Sequence, residues 1–468
     1  MTRHARGAAA LSKLVSWIVV ALALAFAGCA TRPVNPPIAQ VAPDAGYRFQ
    51  TRQARDRDPA TLVVVAFSGG GTRAAAFSYG VLEALRDAEI AGRDGTTRSL
   101  LDDVDIITGV SGGSFTALAY GLHGKRLFDF YAEAFLKRDV EHALVTRLLS
   151  PLSWPALAAA GYGRSELAAD LYDELLFHGA TFGDLARERG PLVIASATDI
   201  STGARLAFLQ TDFDLLCSDL SAVRLSRAAA ASSAVPIVLS PVTMNNYGGG
   251  CGFREPAWTA ALAAPGRAST RADQRLREMR EFQASGRRPF IHLVDGGVSD
   301  NLGLRTVLEA LDQLELSKTL GRATRLDGVR RIAFIVVNAL SSPRLDWDRH
   351  ENPPNDIAIM IRAAGLPIDR YSYEAIELLR DIVDRWSRAR TARGDAGNRA
   401  AGVPDVDMYV IDVSFAAHGN SDERTFLNDQ PTTFSLAPDT VDRLRSAARS
   451  ILAASPEFQR LLRDLRAR

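Results

Sequence analysis

The sequence predicts an α/β fold built on a mainly parallel sheet, with an α/β extension at the C-terminal end. Three observations point there. Short continuous apolar runs alternate with helical patterns, as in sheets buried on both faces. Three of those runs end directly in glycine-containing turns, at the carboxyl ends where ligands bind in such sheets. The composition, 47% hydrophobic and 23% charged over 468 residues, is that of a chain able to bury a large core. The 55 Lys+Arg against 54 Asp+Glu leave a net charge of +1, which excludes a nucleic-acid binder working by bulk charge. Three cysteines in so long a chain exclude a disulfide-framework protein.

The elements follow in chain order. Arg3, Arg6 and Lys13 precede an apolar run from Leu14 to Ala27, and Gly28-Cys29 closes it. The run is about 14 residues, the length of a secretory signal core and short of the roughly 20 that span a bilayer. Leu24-Ala25-Phe26-Ala27-Gly28-Cys29 resembles the lipobox of bacterial lipoproteins, with Phe26 where that box more often has Leu. The resemblance implies a signal peptide over 1–28, lipidation of Cys29 and a place in the bacterial cell envelope. Ala30, where lipoproteins kept at the inner membrane usually have Asp, implies the outer membrane. The alternative is an ordinary signal peptide in which Cys29 is incidental. Residues 29–59, rich in Pro, Arg, Asp and Gln without apolar periodicity, read as a flexible tether. Cys217 and Cys251 are free to pair in an oxidising compartment, and the sequence leaves this open.

A catalytic domain is expected over 60–340. Its strands are read at Leu62–Phe67, Val104–Thr108, Leu192–Ala197, Phe290–Val294 and Ile332–Val337, with helices over Ala74–Arg86, Ser114–His123 and Leu302–Leu316. Residues 248–288, a Gly-rich turn leading to an Arg/Glu-rich helix, read as an insertion. The extension over 341–468 is expected to pack on the domain. It holds an amphipathic helix from Asp356 to about Arg393, the strand Met408–Val413 and a closing helix after Asp439. In the long helix Ile357, Ile361, Ile376, Leu379 and Ile382 form a core-facing stripe, with a lid or membrane contact as the lesser alternative.

Three motifs at strand ends carry the chemistry. In Ser68-Gly69-Gly70-Gly71-Thr72-Arg73, consecutive glycines let the backbone turn tightly and direct bare N–H groups beside a helix N-terminus, a setting for a phosphate or an oxyanion. Gly109-Val110-Ser111-Gly112-Gly113 has the G-x-S-x-G form of a nucleophile in a strained strand-to-helix turn, which makes Ser111 a candidate nucleophile. In Asp295-Gly296-Gly297 a carboxylate at a strand's end is either a base for the serine proton or a turn-forming residue.

In this order, the three motifs resemble the patatin-like phospholipase family. Ala231-Ser232-Ser233-Ala234-Val235-Pro236, leading to Pro241, resembles that family's further block along the active-site wall. The resemblance covers roughly Leu62 to Leu340. It implies a three-layer α/β/α fold and a Ser-Asp dyad without histidine, with Ser111 as nucleophile and Asp295 as base. It further implies an oxyanion hole from Gly69, Gly70 and Gly71, loop support from Arg73, no cofactor and no metal. The expected substrate is a phospholipid or other lipid ester, met at a membrane that Cys29 holds.

Other readings remain beside it. A Ser-His-Asp hydrolase would draw on His418, which the residues around it place in a surface loop. His292, inside an apolar strand, reads as a packed or hydrogen-bonded core residue. Gly69 to Ala74 also fits G-x-G-x-x-A, yet no acidic residue ends the strand Val104–Thr108, which argues against a nucleotide. A non-catalytic envelope lipoprotein that binds lipid or protein would keep the same fold. Asp295, Asp300 and Asn301 form one turn without a second ligand cluster, weak support for a cation.

Overall fold

The structure is a computed structural model that describes residues 32–51, 58–92, 95–263, 270–319, 322–324, 327–343, 345–396 and 406–466. The signal segment and Cys29 lie outside the described residues.

Eight strands form one sheet. They are β1 (Thr61–Phe67), β2 (Val104–Val110), β3 (Leu192–Asp199), β4 (Arg205–Ala207), β5 (Val242–Asn245), β6 (Phe290–Val294), β7 (Arg331–Asn338) and β8 (Asp407–Ser414). Their order is β8-β7-β1-β2-β3-β6-β5, with β4 paired to β3. The strands from β8 to β3 run parallel, whereas β4, β5 and β6 pair antiparallel. The helices used below are α1 (Gly71–Asp87), α2 (Gly112–His123), α3 (Arg164–Tyr172), α4 (Leu225–Ser232), α5 (Thr270–Phe282), α6 (Arg305–Thr319), α7 (Asp356–Ala396), α8 (Pro438–Ala454) and α9 (Pro456–Arg466).

Alternation along β1 builds the three layers. Val63, Val65 and Phe67 face a core with α1, α2, α4, α8 and α9, while Val64 and Ala66 face a second core with α6 and α7. Ile376, Leu379, Ile382 and Trp386 of α7 are buried in that second core, which makes this part of the helix a packed stripe. The side chains of Ile357 and Ile361 lie outside the described ones.

Two expectations change. Residues 32–51 do not behave as a tether: Tyr47 is buried, and its hydroxyl accepts from Val193 N–H at 2.7 Å. Arg48 forms a buried ion pair with Asp214 at 2.9 Å, and Ile38 N–H donates to Cys217 O. Polar groups in this segment find their partners on the body, so the absence of apolar periodicity did not mean freedom. The C-terminal extension likewise goes beyond lying on the domain. It supplies the edge strand β8 in register with β7, and α8 covers α1.

Cys217 and Cys251 form a disulfide with a Cα–Cα distance of 5.5 Å. It closes a loop across a sequence separation of 34 and carries the backbone acceptors of Ile38 and Val41. Replacing both by serine is expected to lower stability by about 2–4 kcal/mol. Thermal unfolding reads the loss, and limited proteolysis should find new cleavage between residues 32 and 51.

Candidate active site

Ser111 sits between the end of β2 and the start of α2, with φ 48° and ψ −120°. A left-handed φ is costly for a residue bearing a Cβ, and here it turns the hydroxyl out of the strand-to-helix corner. The corner closes because Gly112 packs its Cα onto the Gly71 peptide; a Cβ there would stand 2.0 Å from Gly71 O. The N-termini of α1 and α2 therefore meet beside Ser111, and both favour negative charge at that point.

The Ser111 side chain lies close enough to the Asp295 carboxyl to favour its ionised form. Asp295 follows β6 directly, and Gly297 N–H donates to its Oδ1 at 2.7 Å. Burial pushes its carboxyl up to about 6, while the nearby Ser111 side chain and the Gly297 N–H pull the other way. Its main chain is clamped too. Asp295 N–H donates to Ala234 O at 2.9 Å, and Thr198 Oγ1 donates to Asp295 O at 3.0 Å.

The last residue of α4 ties the two together. Ser232 Oγ accepts from Ser111 N–H at 2.9 Å, and Ser232 O accepts from Gly296 N–H at 3.0 Å. Helix α4 is itself fixed to α3 by a buried Arg227–Glu166 pair at 2.8 Å. Ser232 was legible only as part of a wall; its hold on the serine backbone had no local signal.

The glycine loop divides its donors. Gly69 N–H is engaged at 2.9 Å by Asn301 O, which narrows the expected set of three. Gly70 and Gly71 precede the first intrahelical bonds of α1, and among the described residues their N–H groups donate no hydrogen bond. Arg73 is buried beneath the loop, donating from Nε to Ala339 O at 2.8 Å and from Nη1 to Gln430 O at 2.7 Å. Burial without a contacting carboxylate lowers its guanidinium to about 10. Thr433 O accepts from Thr72 N–H at 2.9 Å, so residues 430–433 of the extension buttress the loop, a role that sequence reasoning missed.

His418 lies in the loop after β8, where its Nδ1 accepts from Asn420 N–H at 3.2 Å. No contact joins it to Ser111 or Asp295 among the described residues. His292 differs from expectation: it is exposed on β6 near the sheet edge, with Nδ1 3.1 Å from Thr243 Oγ1. Asp300 is spent on the turn, accepting from Leu304 and Arg305 N–H at 3.1 and 2.8 Å. Among the described residues no group of three or more His, Cys, Asp or Glu could hold a metal ion.

The arrangement offers a serine hydroxyl, a carboxylate of raised pKa beside it, and two helix N-termini where an oxyanion would collect. Comparison with curated proteins returns no match. Among solved structures, human GIVD cytosolic phospholipase A2 aligns with a TM-score of 0.45 and 13% identity, covering 87% of this chain and 60% of its own. The VipD protein of Legionella pneumophila aligns with a TM-score of 0.23 and 10% identity, covering 91% of this chain and 72% of its own. The type III effector protein ExoU aligns with a TM-score of 0.22 and 15% identity, over 86% of this chain and 75% of its own. This chain thus spans about 60% of the human protein's length. The patatin-like phospholipase family model matches residues 65–308, just over half of the 468, and takes in the glycine loop, Ser111, the Ser232 block and Asp295. On that match the chain belongs to the patatin-like phospholipase family.

Proposed function

We propose that the chain is a serine lipid acyl hydrolase of phospholipase A or lysophospholipase type, working through a Ser111–Asp295 dyad. The observation that carries this reading is Ser111 at a strained strand-to-helix corner beside a buried Asp295 carboxyl, the two tied together through Ser232 and flanked by two helix N-termini.

Asp295 accepts the Ser111 proton as Oγ attacks the ester carbonyl, and the oxyanion gathers at the N–H groups of Gly70 and Gly71. Collapse of the tetrahedral intermediate breaks the ester C–O bond, and the proton held on Asp295 passes to the departing alkoxide. Water then attacks the acyl-serine with Asp295 as base again, releasing the fatty acid and restoring the Ser111 hydroxyl. Arg73 holds the loop from below. The protein is read as an envelope lipoprotein of the outer membrane, lipidated at Cys29. The basic and apolar leader supports this, as does the Cys217–Cys251 disulfide, which suits an oxidising compartment.

Labelling with a fluorophosphonate tests the nucleophile. The adduct should map to Ser111 and vanish in Ser111→Ala; an adduct on another residue, with ester cleavage intact in that variant, would overturn the dyad. The pH profile tests the base. Only the Asp295 carboxylate can take the proton, so turnover of a soluble ester should fall about tenfold per unit below about pH 6 and level off above it. A profile flat down to pH 4 would contradict this role.

A further inference from the structure

The first described residues leave the body at a fixed corner. Arg32 donates to the Asn245 side chain and, at 3.4 Å, to Thr243 O, and its guanidinium lies 5.4 Å from the centre of the Phe290 ring. Its stem packs on Gly161, where a Cβ would stand 2.4 Å from Arg32 Cδ. Asn35 continues the clamp, donating to Ser218 Oγ at 2.8 Å and accepting from Asn245 N–H at 2.8 Å. Cys29 is three residues upstream, and three extended residues reach at most about 11 Å. With Cys29 lipidated, the corner at Arg32 cannot stand farther than that from the bilayer surface.

Segments that run into this corner carry exposed apolar side chains. Arg164 Nη2 donates to Ile237 O at 3.1 Å, which sets the loop after the Ser232 block beside Gly161–Arg164. In that loop Ile237 and Val238 are 46% and 54% exposed, and Ile237 holds a left-handed φ of 78°. On the turns that lead into Gly161, Leu152 and Trp154 are 90% and 59% exposed. Exposed large aliphatic and indole groups on chain segments that run into one corner mark an interaction site, and Trp favours the headgroup level of a bilayer.

We infer that Leu152, Trp154, Ile237 and Val238 form a bilayer-docking face, seated on the same membrane that holds the chain's own N-terminus. The inference rests on the lipidation reading above and deepens it. The short leash brings this corner to the lipid surface, and the exposed side chains are what meets it there. The Ile237 loop follows directly on Ser232 and Ala234, which hold the Ser111 and Asp295 main chains, so docking sets the dyad beside the lipid it acts on.

The test uses the full chain in vesicles of phosphatidylethanolamine and phosphatidylglycerol. A polarity-sensitive dye is placed at Leu152→Cys, at Ile237→Cys, and at Arg463→Cys on α9, which packs on the opposite edge strand β8. Emission should shift to the blue and be quenched by brominated lipid at 152 and 237 and stay aqueous at 463. Leu152→Ser/Trp154→Ser should hydrolyse vesicle phospholipid about tenfold more slowly or worse, with turnover of a soluble short-chain ester unchanged. Aqueous emission at both 152 and 237 in membrane-bound protein, or insertion at 463 instead, would overturn the face. Mass analysis of Cys29 reads the lipidation separately. If no lipid is found, vesicles added to the unlipidated chain test the face alone, insertion at 152 supporting it and its absence overturning it. Loss of catalysis would count against the hydrolase reading and leave the dye readout unmoved.

Discussion

Replacing Ser111 by Ala lowers ester turnover by about 10⁴-fold or more, because it removes the atom on which the acyl group would be carried. Asp295→Asn is expected to lose as much, since an amide cannot take the serine proton. The two variants part in stability. Burial raises the Asp295 carboxyl from 3.8 to about 6, so between those values the folded chain binds a proton that the unfolded chain releases. Stability from this group therefore declines as pH rises from about 4 to about 6, and above that range the buried charge is a standing cost. Asp295→Asn removes the cost and should unfold at a higher temperature than the parent at pH 7.5, whereas Ser111→Ala should not. Melting curves at pH 5 and pH 7.5 check this: the gap between Asp295→Asn and the parent should widen with pH.

Gly112→Ala is expected to lower turnover by about 10²- to 10³-fold, the scale of losing an oxyanion donor. The added methyl would stand 2.0 Å from Gly71 O, and backbone at that distance has to move. Gly71 has little room to give: it holds φ 57°, and a Cβ on its own Cα would meet Thr433 O at 2.3 Å. The displaced loop would carry the Gly70 and Gly71 donors away from the serine, with about 1–3 kcal/mol of stability lost to overpacking. Gly365→Ala is the control, since a methyl there meets nothing within 4 Å and the position lies in α7. Kinetics on a soluble ester should leave Gly365→Ala at the parent's rate.

The motifs were legible because each is local: a strand, a turn that glycine permits and a helix occur in one stretch of chain. Ser111 and Asp295 could be picked from 109–113 and 294–297 without knowing that β2 and β6 flank β3 on either side. What escaped is what chain-distant partners decide. The antiparallel pairing of β6 with β3 rests on Thr198 opposite Val294, which no periodicity reports. Residues 32–51 looked unstructured because, apart from Tyr47 and Phe49 at the core, their contacts are polar, made one by one with Asp214, Ser218 and Cys217. Gln430 and Thr433 act through carbonyl oxygens, which carry no residue signature, so their support of Arg73 and Thr72 is invisible in the sequence.

The most direct measurement is fatty-acid release from mixed bacterial phospholipids by the full chain, run beside a folded Ser111→Ala variant. Release by the parent and none by the variant is the predicted result. Equal release by both, or none by a parent that folds and reaches the lipid, would contradict a Ser111-dependent lipid acyl hydrolase.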